Sequence, residues 1–295
     1  MTAQIISGKD ISKQIREELT QEIAELKEKH NVVPGLATVL VGADPASQVY
    51  VGSKEKNCQA LGIYSERYDL PDTTDESTLL ALIDRLNKDP KINGILVQLP
   101  LPKHIDENNV IMAIDPKKDV DGFHPVNVGK IMIGDPDYLP CTPHGIQELL
   151  IRSGTDTDGA EVVVVGRSNI VGKPIANILM QKCKGANATV TLCHTATRDI
   201  ASHTRRADII IAAVGKPKAI TADMVKDGVV VIDVGVNEIG KTEDGKRILV
   251  GDVDFEAVKE KAKAITPVPG GVGPMTIVML MTNTVKAAKL AAGLV

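Results

Sequence analysis

"VVVVGRSNIVGKP", residues 162–174, has the layout of a dinucleotide-binding turn with its glycines moved. Four valines run into Gly166, as a buried parallel strand runs into the first turn of a Rossmann βα unit. The usual fingerprint places a second glycine two residues on. Here Ser168 holds that position, behind Arg167, and the next glycine is Gly172. A pyrophosphate needs backbone N–H groups and a helix N-terminus rather than glycines as such. Gly166 allows the tight turn, Gly172 and Pro174 open a helix, and Ser168 supplies a hydroxyl donor.

The end of the following strand bears on the choice of dinucleotide. NAD-binding units place an acid there for the ribose 2′-OH. In "LCHTATRD" (192–199) the strand end carries His194 and Thr195 and no acid directly after it. An arginine in the turn with hydroxyl donors at that edge suits a 2′-phosphate, because guanidinium binds phosphate as a fork. The loop is expected to take NADP rather than NAD. On this loop alone, a flavodoxin-like domain holding another phosphate, or nothing, stays open.

Working outward, the pattern predicts helix 142–154, strand 161–166, a helix from about 172, strand 188–194, helix 197–206 and strands 208–215 and 229–236. That is a second α/β domain of Rossmann type. The N-terminal half has the same rhythm. Ile11, Ile15, Leu19, Ile23 and Leu26 recur at helical spacing. Strand "GLATVLVG" (35–42) is followed by a helix capped at Asp44 and stopped at Gly62. A strand near "IYSERYDL", helix "DESTLLALIDRLNK" and strand "NGILVQL" (93–99) complete a mostly parallel sheet. The Pro-, Asp- and Asn-rich stretch "PLPKHIDENNVIMAIDPKKDVDGFHPVN" reads as irregular and as the domain boundary. The apolar tail "MTIVMLMTNTVKAAKLAAG" is expected to pack back on the first domain.

Composition narrows the function classes. The 295 residues are 43% apolar and 24% charged, enough for full cores, and the net charge of −4 argues against a nucleic-acid or anionic-membrane partner. With no Trp, two Phe and four Tyr, a base-stacking platform is not expected. Cys58, Cys141, Cys183 and Cys193 lack C-x-x-C spacing and read as thiols of a reducing compartment. The six histidines show no ligand spacing, so no metal is inferred. Neither a signal peptide nor an apolar run of spanning length is seen, and a cytoplasmic protein is expected.

Tyr50, Lys54, Cys58 and Leu61 share one helix face. Cys58 and Leu61 belong to a core, so Lys54 is drawn inward, whereas Lys56 points elsewhere. A snorkelling Lys54 is the plain alternative. Gln98 is the one polar side chain of "GILVQLPLP", at a strand's C-terminal end, where α/β sites lie. Asp119 and Asp121 bracket Val120, and solvated linker acids would look the same. "PVPGGVGPMT" (267–276) is expected to be a shaped, backbone-lined loop or a rigid connector.

Together "YVGSKEKNCQALGI", "GILVQLPLP", "DPKKDVDGFHP", "PCTPHG", "GRSNIVGKP" and "TPVPGGVGPMT" resemble, in order and along nearly the whole chain, the bifunctional methylenetetrahydrofolate dehydrogenase/cyclohydrolase family. The resemblance implies a two-domain α/β fold. A folate domain (1–121 and 276–295) is completed by the C-terminal helix. A Rossmann NADP domain (122–275) carries a bridging helix at 142–154, and the active-site cleft lies between the two. It implies oxidation of 5,10-methylene- to 5,10-methenyltetrahydrofolate, hydrolysis of that to 10-formyltetrahydrofolate, tetrahydrofolate one-carbon derivatives as ligands, and a homodimer through the Rossmann domains. By resemblance, Tyr50, Lys54, Gln98 and Asp121 fall on folate-site and catalytic positions. Gly166, Arg167, Ser168 and Thr195 fall on NADP positions. Ile232 matches a backbone contact on the nicotinamide side, and Pro267 with Gly271 matches the folate loop. Another two-domain NADP dehydrogenase would want a carboxylate-binding arginine, for which Arg16 and Arg67 are poorly placed. A nucleotide-sensing protein without turnover would have no use for the Lys54 set.

Overall fold

The computed structural model describes residues 3–242 and 244–295, without the side chains of residues 45 and 46. The chain forms two compact units, residues 14–141 with 277–295 (the Lys54 unit) and residues 1–13 with 142–276 (the Gly166 unit). Strand β1 (Gln4–Ile5) and helix α1 (Gly8–His30) open the chain. They are followed by β2 (Gly35–Val41), α2 (Pro45–Leu61), β3 (Tyr64–Leu70), α3 (Glu76–Lys88) and β4 (Gly94–Val97). Next come α4 (Glu107–Ala113), α5 (Pro125–Ile133) and α6 (Cys141–Arg152).

In the Lys54 unit β2 lies between β3 and β4, parallel to both. Every residue of β2 and β4 is buried, which explains why both read as continuous apolar runs. The five apolar positions predicted for α1 are all buried. Helix α2 starts where the Asp44 carboxylate accepts the Ser47 amide at 2.8 Å and stops where Gly62 turns left-handed at φ 76°.

The stretch expected to be irregular is partly regular. Asp106 caps α4 by accepting the Asn108 amide at 2.8 Å, and Val110 enters the core beside α3. Asp, Asn and Pro mark helix starts as well as loops, so composition alone could not separate the two. Nor does the expected border at 121/122 fall where the compact units divide. Asp119 receives the Phe123 and His124 amides and the Asn127 side chain, at 3.2, 2.8 and 2.8 Å, which ties the start of α5 to the Lys54 unit.

The Gly166 unit contains β5 (Glu161–Val165), α7 (Gly172–Leu179), β6 (Thr189–Cys193), α8 (Ile200–Thr204), β7 (Ile209–Ala212) and β8 (Val230–Asp233). The hairpin β9 (Asn237–Lys241) and β10 (Arg247–Val250) follows, then α9 (Phe255–Val258) and β11 (Ala264–Ile265). The six-stranded sheet runs β1-β11-β8-β7-β5-β6, parallel throughout. From β5 the chain goes first to β6 on one side and then to β7 on the other. The switch point of this doubly wound sheet is therefore at the C-terminal ends of β5 and β7. Residues 1–13, expected with the first domain, group here because β1 pairs with β11. A two-residue strand has no readable period.

The last helix, α10 (Val272–Ala291), contributes residues from 277 onward to the Lys54 unit. There Asn283 donates to the Val120 and Leu139 carbonyls at 2.8 and 2.9 Å, and Met281 sulfur lies 3.5 Å from that of Cys58. No helix among the described residues is long and apolar enough to cross a membrane.

Candidate active site

Helix α2 presents a graded face. Tyr50 is 46% exposed and Lys54 only 7%, while Cys58 and Leu61 are fully in the core; Lys56 is exposed. Lys54 therefore does not snorkel. Its ammonium donates to Gln98 Oε1 at 2.8 Å. Gln98 follows β4, held to β2 by its amide on Val39 O at 2.8 Å, and its own Nε2 donates to Leu99 O at 2.7 Å. That second bond fixes the flip of the side-chain amide and leaves its oxygen for Lys54.

The two linker acids part company. Asp119, 3% exposed, spends its oxygens on the start of α5. Asp121 is only half-buried as a residue and has no ion-pair contact among the described residues, yet its carboxylate acts on Lys54 through space. Burial pushes the Lys54 amine below the ordinary lysine range, opposed chiefly by the charge of Asp121. Burial likewise raises the Asp121 carboxyl, opposed by Lys54. Each group is driven toward its neutral form by desolvation and toward its charged form by the other. Opposed shifts of this kind are what a site that moves protons needs.

Cys141 completes it. The thiol is 1% exposed, lies 3.5 Å from Val120 O and hydrogen-bonds the Asp121 carboxyl. Burial and the Asp121 charge raise it well above the usual thiol range, so it stays a neutral donor. The spacing of the cysteines marks it only as a thiol of a reducing compartment. The clue was its place in "PCTPHG", a motif used only for the resemblance.

In the Gly166 unit the predicted turn is formed. Gly166 has φ 130°, and a Cβ there would lie 2.1 Å from Ala213 O. A Cβ on Gly172 would lie 2.0 Å from Gly166 O. Both glycines are thus forced by close backbone approach. Ser168 Oγ accepts the Val171 and Gly172 amides at 3.1 and 3.4 Å, which ties the turn to the first residue of α7. Its hydroxyl hydrogen stays available to a ligand. The amides of residues 167–170 make no hydrogen bond to the described residues. Arg167 is exposed and makes no ion pair among those residues. Free consecutive amides, a hydroxyl and an unpaired guanidinium are the donor set of a phosphorylated dinucleotide, and they fit NADP.

Thr195 is exposed beyond β6, at the same end of the sheet. Ile232 is wholly buried in β8, so only its backbone can reach a ligand. The loop 267–271 is shaped by the backbone, as expected. A Cβ on Gly271 would lie 2.6 Å from Pro267 O, and one on Gly8 would lie 1.7 Å from Gly271 O. Arg67, engaged by Asp69 and Glu55 at 2.9 and 3.6 Å, is no free carboxylate receptor.

Two family models match. Residues 6–121 fit the catalytic domain of tetrahydrofolate dehydrogenase/cyclohydrolase, and residues 140–292 fit its NAD(P)-binding domain. The chain belongs to this family. Among its relatives in the tetrahydrofolate dehydrogenase/cyclohydrolase family is the "Bifunctional protein FolD" of Syntrophus aciditrophicus, 70% identical with both chains fully covered. The crystal structure of the bifunctional FolD of Campylobacter jejuni is 49% identical, with TM-score 0.91 over 98% of this chain and 99% of that one. The Trypanosoma brucei FolD, solved with NADP cofactor and an inhibitor, is 40% identical, with TM-score 0.92 over 98% of each chain. In this family's terms the Lys54 cluster lies in the catalytic-domain match up to Asp121, while Cys141 falls just inside the NAD(P)-binding match.

Proposed function

We propose that Lys54, Gln98, Asp121 and Cys141 form the hydrolytic centre of this enzyme, and that the Gly166 turn holds its cofactor. The chain oxidises 5,10-methylenetetrahydrofolate to 5,10-methenyltetrahydrofolate with NADP and hydrolyses the product to 10-formyltetrahydrofolate. When bound, NADP accepts the hydride. This chain's part in that step is alignment, through Arg167, Ser168 and Thr195 at the phosphates, the Gly166 turn, and the Ile232 backbone.

Hydrolysis asks more of the side chains. Water attacks a methenyl carbon whose positive charge is shared by two nitrogens. The neutral Lys54 amine takes one proton of the water and, as ammonium, returns it to the departing nitrogen while one C–N bond breaks; the remaining hydroxyl proton leaves to solvent as the formyl C=O forms. Gln98 holds the amine in either state, since its oxygen accepts from both. Asp121 receives paired N–H groups of the pterin edge. Tyr50, the exposed aromatic one turn before Lys54, stacks on the ring system. Pro267 and Gly271 shape the folate loop.

The observation that carries this reading is a buried lysine amine held by an oriented amide beside a desolvated carboxylate. The test adds methylenetetrahydrofolate with NADP or with NAD and follows methenyl-folate absorbance. Formation with NADP followed by decay supports it; formation without decay would remove the hydrolytic role.

A cytoplasmic homodimer through the Gly166 unit is part of the same proposal. In support, β6 is paired only with β5 among the described residues, which leaves a sheet edge open at that side.

A further inference from the structure

Two more buried acids lie outside the Lys54 cluster. Asp233 ends β8 at 2% exposure, and Asp252 follows β10 at 0%. Neither has an ion-pair partner among the described residues. Among the described residues, every hydrogen bond they accept comes instead from an N–H group. Asp233 takes the Gly235 and Asp252 amides on one oxygen at 3.0 and 2.9 Å and the Val253 amide on the other at 2.9 Å. Asp252 takes the Val214 and Gly215 amides on Oδ2 at 2.5 and 2.8 Å. Its Oδ1 takes the Lys216 amide at 3.0 Å and Asn237 Nδ2 at 2.9 Å. A Cβ on Gly235 or Gly251 would stand 2.2 or 1.8 Å from these carboxylates, so both glycines are there to admit them.

A carboxylate buried without a counter-ion is costly, and amide donors offset that cost only if all are in place. Asp252 thus fixes three consecutive residues, 214–216, in one arrangement. Those residues directly follow β7. Ala213 touches Gly166 across the switch point, so the loop 213–216 forms the wall of the crevice opposite the phosphate turn. The two walls differ in kind. The Gly166 turn keeps its amides free for an anion, whereas the amides of 214–216 are consumed by Asp252. Beside the pair is a recess of ≈ 360 Å³, lined in part by Asp233, Gly251, Val253, Pro267 and Val268.

We propose that Asp252 is a positioning residue for the dehydrogenase reaction: it sets the wall after β7 against which the nicotinamide half of the dinucleotide lies, and Asp233 holds Asp252 in place. This rests on the NADP reading of the Gly166 turn. Burial pushes Asp233 up to about 6, so at neutral pH it still accepts its three amides as a carboxylate.

The test uses the whole enzyme carrying Asp252→Asn, in which an NH₂ group replaces one accepting oxygen. NADP binding is measured by calorimetry, amide exchange at residues 214–216 by mass spectrometry, and hydrolysis of added methenyl-folate without cofactor. Expected are NADP affinity weaker by about tenfold or more, the loss typical of a charge-assisted hydrogen bond, faster exchange at 214–216, and hydrolysis within about twofold of wild type. The Michaelis constant for NADP should rise more than kcat falls. Unchanged NADP affinity and exchange would overturn the proposal. If Asp252→Asn does not fold, seen as loss of hydrolysis and of the melting transition, Asn237→Ala decides. It removes one Asp252 donor, and unchanged NADP affinity there overturns the proposal equally. A wild-type enzyme that fails to bind NADP would instead overturn the cofactor reading itself, and the inference with it.

Discussion

The Lys54 cluster and the Gly166 turn handle polar groups in opposite ways. In the cluster the working groups are buried side chains, and burial shifts them toward neutrality. At the turn they are backbone amides and one exposed guanidinium, held out by glycines that leave no room for a Cβ. Proton transfer needs groups poised between two charge states, whereas binding a phosphate needs donors that never change state. The same contrast separates neighbours in the chain. Asp119 is fully engaged by N–H donors and builds structure; Asp121, two residues on, faces Lys54 and Cys141.

Breaking the comparison on the cluster side should give the largest effect. Lys54→Met keeps apolar bulk and removes the titrating amine. Hydrolysis of added methenyl-folate should fall by about 10²–10⁴-fold, the usual worth of a positioned acid–base group. Dehydrogenase activity should remain substantial. Hydrolysis near wild type would reduce Lys54 to a packing residue.

Asp121→Ala should weaken folate binding by about 1.5–3 kcal/mol for each charge-assisted hydrogen bond lost. Both activities should fall while NADP binding survives in calorimetry. Unchanged folate affinity would return Asp121 to the status of a linker acid.

At the turn, Arg167→Ala should cost about 1.5–3 kcal/mol of NADP binding. The Michaelis constant for NADP should rise far more than that for NAD; equal rises would remove the 2′-phosphate assignment.

A pH profile sharpens the cluster side. Hydrolysis starts from the neutral amine, and burial lowers Lys54 below 10.5. The rate should therefore climb with pH on a limb below the ordinary lysine range. The Asp121 charge raises Lys54, so Asp121→Asn should move the limb of the residual rate to lower pH. A shift to higher pH would contradict the coupling.

The smallest effect is expected at Ser168. Losing the Ser168 Oγ bonds to the Val171 and Gly172 amides in Ser168→Ala should lower stability by about 1 kcal/mol in denaturant unfolding. No change would mean that the amides of residues 171 and 172 find another acceptor.

Much of this was legible in the sequence because the signals were local. The valine run into Gly166, the Asp44 and Gly62 ends of α2, and the four-residue spacing from Tyr50 to Cys58 each specify geometry within one element. What stayed hidden depended on distant pairing. Cys141 becomes part of the cluster only because the chain returns it to Asp121. The pairing of β1 with β11, Gln4 with Ala264 and Ile5 with Ile265, joins opposite ends of the chain through too short a strand to show a pattern. Asp233 and Asp252 look like ordinary strand-end acids until the fold closes them over the amides of 214–216. The helix α4 was missed because its capping residues are those of loops.

One assay tests the division of labour most directly: methenyl-folate absorbance during turnover of methylenetetrahydrofolate, run on Lys54→Met and Arg167→Ala at limiting NADP. Lys54→Met should accumulate methenyl-folate. Arg167→Ala should form it slowly yet hydrolyse added methenyl-folate at the wild-type rate. If both variants, folded and binding folate, lose the two activities in parallel, the chemistry is not divided between the cluster and the turn.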